Sequence, residues 1–366
     1  MRSYEDQPML ARQITLVALL VLSVTTETVA QSTSPSVLKQ RFPSCAVVNG
    51  ASVSLCACSH VGNTGAIAPL NLTGIRLVDV DLCRVPIVGN NAGIGIDLTG
   101  SYNVHLHNGL VGSVQIGVLA GLDSNHCATR EQGNNLIDNF NIDLTAIPGS
   151  IGVVSEGSEQ ISFQNNPWIF GARAGLLLVG DMGGGTPVPF LSPNIATCPT
   201  GQTQTVNTFY QTTFGSVAPH PAIEVRGDVS ESFADGLYTV LEGGSGATYA
   251  VAFMGPWATS GTTGKVLYAS NFNFGKGTFR NEGYSGDYQG PCVNCNFTSN
   301  IEMGPNGNGS SAVGGPTPAW STPTSTMLPK SVATPAPSAT PTATATSTAT
   351  AAVMPLAPGN PTPKAR

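Results

Sequence analysis

Charge is what this chain has least of. Asp, Glu, Lys and Arg make up 10% of its 366 residues, against roughly 25% in an ordinary soluble domain. The 15 Lys and Arg are outnumbered by 21 Asp and Glu, so no basic stripe is available and nucleic acid is excluded as an expected partner. The apolar run from Ile14 to Val24 falls short of the roughly 20 residues a membrane-crossing helix needs, so no span is expected in the mature chain. A Gly-x-Ser-x-Gly nucleophile motif is missing as well.

The two ends differ from the middle. Ala11-Arg12, the apolar run and Thr28-Val29-Ala30 have the charge, apolar stretch and small-residue exit of a secretory signal, so residues 1–30 are read as one. A buried helix is the competing reading. Residues 301–366 are rich in Gly and Asn, then in Thr, Pro, Ala and Ser; they cannot bury enough apolar area to offset ordering and read as a disordered C-terminal tail. Residues 31–44 read as a leader, which leaves one folded domain over 45–300.

That domain repeats itself. Apolar pairs two residues apart lead to Gly or Ser: Ile96/Leu98, Ile116/Val118, Ile151/Val153, Leu176/Leu178 and Ile223/Val225. A period of two is a strand with one buried face. In a second patch, Leu77, Leu106, Ile137, Phe163, Phe209 and Phe233 each precede by two residues a polar one: Asp79, Asn108, Asn139, Asn165, Gln211 and Asp235. An isolated inward amide costs about 1–3 kcal/mol, whereas amides stacked at the strand spacing can bond coil to coil. The column therefore predicts an inward ladder in an all-β parallel solenoid with coils of about 25 residues. Two longer gaps hold insertions, Gly121–Asn134 and Asp181–Gln204.

The Asn column and the Gly-x-Ile-x-Leu rungs make residues 46–288 resemble the right-handed parallel β-helix superfamily typified by pectate lyases. The resemblance implies a fold rather than an activity, since that superfamily holds lyases, hydrolases, epimerases, tailspikes and non-catalytic surface proteins. Of the polygalacturonase pattern only Asn141-Ile142-Asp143 is present. Arg84-Val85-Pro86 lacks the second arginine of the lyase pattern. A cofactor or metal set is not expected.

The residue before each ladder position should face outward: Val78, His107, Asp138, Gln164 and Tyr210. His107 and Asp138 then become neighbours on successive coils, with His105 beside them, and a His–carboxylate pair can act as acid and base; a solvated polar stripe is the competing reading. The insertions offer Asp123, His126, Arg130, Glu131 and Asp181 as binding residues on loops. The expected function is that of an exported, non-catalytic surface or extracellular protein with a polysaccharide or cell-surface glycan as its candidate partner; the alternative is a polysaccharide lyase or glycoside hydrolase. Oligomeric state is left open.

Eight cysteines in an exported chain imply disulfides. Cys45, Cys56, Cys58 and Cys83 should staple the first coil and Cys292 and Cys295 the last, while zinc held by Cys56, Cys58, Cys292 and Cys295 is the alternative. Cys127 and Cys198 lie one in each insertion and are expected to pair. Non-reducing peptide mapping should recover them joined; Cys127 as a free thiol, or linked to Cys83, refutes the pairing.

Overall fold

The structure, a computed structural model, describes residues 32–60, 65–121, 133–157, 160–180, 207–242, 249–255, 258–259, 266–274, 279–284 and 286–297. The expected signal, the tail, most of both insertions, Cys127 and Cys198 lie outside the described residues.

Three faces recur in each coil, and every face pairs in parallel with the same face of the next coil. The first face runs through Ser52–Ser54, Arg76–Asp81, Tyr102–His107, Asn135–Asp138 and Ile161–Gln164. The second runs through Pro86–Val88, Leu110–Gly112, Asn141–Leu144 and Trp168–Gly171. In Asn207–Val217 and Ser230–Glu242 the two faces fuse into one long bent strand per coil. The third face runs through Leu70–Asn71, Ile94–Asp97, Ile116–Gly121, Ile151–Glu156, Ala174–Val179, Ile223–Arg226, Tyr249–Met254 and Gly286–Gln289. The fold is a parallel β-helix.

The core is three stacks of side chains, because parallel register sets each inward residue on its counterpart one coil away. Val53, Val80, Leu106, Ile137, Phe163 and Phe209 form the first stack. Ile87, Val111, Ile142, Ile169 and Phe214 form the second, and Ile96, Val118, Val153, Leu176, Ile223 and Val251 the third. All are buried. Phe140 lies across Gly109, where a Cβ would come within 2.4 Å of its ring, so only glycine lets that aromatic enter the core.

Both ends of the described solenoid carry disulfides. Cys45–Cys58 and Cys56–Cys83 tie the first coils, and Cys292–Cys295 closes a short loop at the last. The zinc alternative is thereby overturned, since those four sulfurs are already bonded.

The leader is corrected too. Pro35–Arg41 is a helix with proline in its first turn, where a missing N–H costs nothing. Leu38 and Phe42, four apart on one helical side, are buried in the core cluster. The folded body therefore starts before Cys45, and this helix packs against the first coil.

The inward ladder is the main correction. Asn108, Asn139, Asn165 and Gln211 have φ of 58°, 56°, 50° and 46° and sit partly or fully exposed at the corner between the first and second faces. The column selects Asn because Asn tolerates the left-handed conformation the corner requires; in the next coil Gly236 takes the place, at φ 86°. Among the described residues of this column one amide-to-amide rung is present, Asn139 Nδ2 donating to Asn108 Oδ1 at 2.6 Å. Asn165 Nδ2 donates instead to Asp138 Oδ1, and Asn108 Nδ2 to Asp81 Oδ1.

Asp79 and Asp235 leave the column altogether, because Asp79 pairs with His105 and Asp235 with Tyr210. These odd-numbered shifts, three residues in the first case and one in the second, bury Val78, expected outside, and expose Phe233, expected inside. On the third face Ile116 pairs with Ile94 and Ile151, a slip of two residues that keeps the alternation. The buried amides are others: Asn135 accepts from Val104 N–H, and Asn166 accepts from Phe140 N–H while donating to Ile137 C=O.

Asn139→Leu should cost about 1–3 kcal/mol, from lost hydrogen bonds and a branched side chain forced into positive φ. Asn141→Leu, two residues on and with ordinary backbone, should stay within about 0.5 kcal/mol. Urea melts compare them; equal losses would remove the corner argument.

Candidate functional site

Outward positions of the first face alternate with the core stack, so each strand offers two side chains to solvent. Asp79 and Asp81 on one coil, His105 and His107 on the next, and Leu136 and Asp138 on the third lie side by side. The motif Asp79-Val80-Asp81 beneath His105-Leu106-His107 is the local cause: a period of two aims both acids and both imidazoles the same way.

The side chains meet closely. His105 Nδ1 is 2.9 Å from Asp79 Oδ1, and His107 Nε2 is 3.5 Å from the same oxygen. His105 Nε2 lies 3.8 Å from Asp138 Oδ2, and His107 Nδ1 3.7 Å from Asp81 Oδ1. The two rings stack with centroids 4.8 Å apart. Asn108 Nδ2 is 3.2 Å from His107 Nδ1. His107 and Asp138 pair across the strands as expected, but the side chain that approaches Asp138 is His105. Asp79 and Asp81 were missed, the first because it was assigned to the ladder; comparing the two Asp-x-Asp and His-x-His triplets would have found both.

Around the Asn corner, the second face carries an open groove of about 610 Å³ bordered by Pro86, Leu110, Asn141, Asp143 and Trp168. Trp168 stacks on Phe170 with ring centroids 3.9 Å apart and planes 8° from parallel. Phe170 is itself fixed, because its ring fills the space over Gly215 that a Cβ would occupy. The tryptophan went unnoticed in the sequence, where Pro167-Trp168 carries no motif.

A third cluster is structural. Arg173 grips Glu224 with two hydrogen bonds, 2.9 Å from Nε and 2.7 Å from Nη2, and Arg226 Nε donates to the same carboxylate. Burial pushes the Glu224 carboxyl up, but Arg173 and then Arg226 outweigh it and hold it at about 2. Burial, then Arg173, lowers the neighbouring His220, against Glu224.

Asp123, His126, Arg130, Glu131 and Asp181 lie outside the described residues. The strands that enter the two insertions do share one corner: Gly121 and Val179 both pair with Glu156 on the coil between them. The triad Cys56, Asp81 and Cys83 is no cation site, as its two sulfurs form a disulfide. Among the described residues no helix is long and apolar enough to cross a membrane. Comparison with protein-family models, with curated proteins and with solved structures found no match.

Because the folded Glu224 value lies below the ordinary 4.5, its contribution is complete above about pH 4.5 and lost as pH falls through about 2. Glu224→Gln should therefore flatten the loss of melting temperature over that window. At pH 7 the variant should be about 3–5 kcal/mol less stable, since two largely buried guanidiniums lose their carboxylate. An unchanged acid profile would show the triad contributes nothing.

Proposed function

We propose that this protein is an exported, non-catalytic β-helix that binds an extracellular polysaccharide along the second face. The observation that carries this reading is the groove beneath Trp168. Its floor of Pro86, Leu110 and an indole held flat by Phe170 suits the C–H face of a sugar ring, while Asn141 and Asp143 offer hydrogen bonds to hydroxyls. Ligand sites in general combine apolar lining with a few placed polar groups. The groove crosses successive strands about 4.8 Å apart, so a polymer of repeating units meets a fresh coil at each step.

Several features agree with export. The N-terminal stretch reads as a secretory signal, disulfides belong to oxidising compartments, and Asn71-Leu72-Thr73 and Asn296-Phe297-Thr298 are glycosylation sequons. A second reading, cleavage of the polysaccharide, is favoured by the 2.9 Å contact between His105 and Asp79, where an imidazole with a carboxylate partner can move a proton.

A polysaccharide panel scored by affinity electrophoresis, with assays for new reducing and unsaturated ends, separates the two. Binding without new ends, weakened roughly tenfold to a hundredfold by Trp168→Ala, is the expected outcome. New ends that vanish in His105→Ala would establish the second reading. Binding untouched by Trp168→Ala would place the ligand elsewhere.

A further inference from the structure

We infer that Asp79, His105 and His107 form a binding site for a divalent transition-metal ion of the zinc class. The inference is independent of glycan binding, which uses another face. One ligand atom from each of the three residues lies within 4.8 Å of the other two. Four ligands at about 2.0–2.1 Å around a tetrahedral ion stand about 3.3 Å apart. The two nitrogen-to-Asp79 Oδ1 distances, 2.9 and 3.5 Å, bracket that value, so closure around an ion needs only small side-chain rotations.

The surroundings carry the same message. Histidines that bind metal usually present their other nitrogen to a carboxylate, which fixes the ring and raises its basicity. Each imidazole has a carboxylate near that nitrogen, just beyond hydrogen-bond length: with His105 bound through Nδ1, its Nε2 lies 3.8 Å from Asp138, and with His107 bound through Nε2, its Nδ1 lies 3.7 Å from Asp81. Asn108 Nδ2 donates to Asp81 Oδ1 at 2.9 Å and also lies 3.2 Å from His107 Nδ1, so an ion on Nε2 requires the Nδ1 proton to turn to Asp81 in place of that amide. His107 Nε2 is out of contact with solvent and makes no hydrogen bond, a buried polar atom left unpaired that a bound ion would pair.

Chemistry selects the ion. Two imidazoles and one carboxylate suit zinc, cobalt, nickel, copper or iron, whereas calcium and magnesium prefer all-oxygen sets. Three protein ligands on a solvent-facing sheet leave further positions open to water, as in metal sites that exchange ligands. The backbone holds all three donors, since His105 and His107 share one strand and Asp79 pairs directly with His105.

The test uses the full, tag-free chain stripped with a chelator and titrated with cobalt(II), read by its visible absorption. The expected result is one ion per chain, displaced by zinc and not by a hundredfold excess of calcium. Asp79→Asn and the double variant His105→Ala/His107→Ala should each weaken binding at least tenfold. Asp138→Asn, which acts on ring orientation only, should weaken it about tenfold and shift the band without abolishing it. Equal uptake by the wild type and the double variant overturns the site, as does displacement by calcium. Circular dichroism checks folding; should the double variant unfold, Asp79→Asn, at a half-exposed position, decides.

Discussion

Hydrogen bonds between parallel strands of successive coils leave no freedom about which side chain lies over which. A residue in a sandwich can meet many kinds of neighbour, but in this molecule each sits on its equivalent from the coil before. Three apolar stacks follow; the first reaches Phe163 and Phe209 and the second Phe214, and these rings meet in stacked and edge-on pairs. The same rule governs the corners. Where the chain must turn through positive φ, the demand repeats in every coil, and Asn, Asn, Asn, Gln and Gly answer it in succession.

The rule also makes chemistry on the outside. A polar side chain aimed outward costs little, and stacking places like residues within reach of one another. Two acids from one strand, two imidazoles from the next and an acid from a third converge with no loop to position them. Sites built on strands hold their geometry better than sites on loops. The second face uses the same economy for a different end, since Trp168 and Phe170 alternate with the buried Ile169.

Much of the fold was legible because alternation with period two survives any slip of two residues. The parallel β-helix and the Ile- and Leu-rich third face follow from it, while the grouping of the cysteines points to disulfides near both ends. What failed is instructive. Leu77 looked like Leu106 and Phe233 like Phe209, yet hydrogen-bond register puts Val80 and Ala234 in those places, because the corner of the first coil is longer and Gly236 replaces a side chain in the later one. A slip by an odd number of residues exchanges inside for outside, so Asp79, three residues from its expected register, belongs to the His cluster and not to a core rung. The amide column was visible, but its cause was backbone conformation rather than side-chain stacking, and composition alone cannot separate the two. Leu38 and Phe42 were hidden for another reason: two residues on one helical turn are too short a pattern to stand out from a leader.

Solenoids lose structure from their ends, since a terminal coil has a neighbour on one side only. The ends here are not equivalent. Cys56–Cys83 joins two different coils across 27 residues, whereas Cys292–Cys295 spans only 3 and joins no coil to another. Among the described residues the first coils are riveted together and the last ones are not, which makes unravelling directional. A protease working on the exposed protein would find its purchase at the C-terminal coil, leaving the histidine cluster and the tryptophan groove, both set in the earlier coils, as the last parts to be reached.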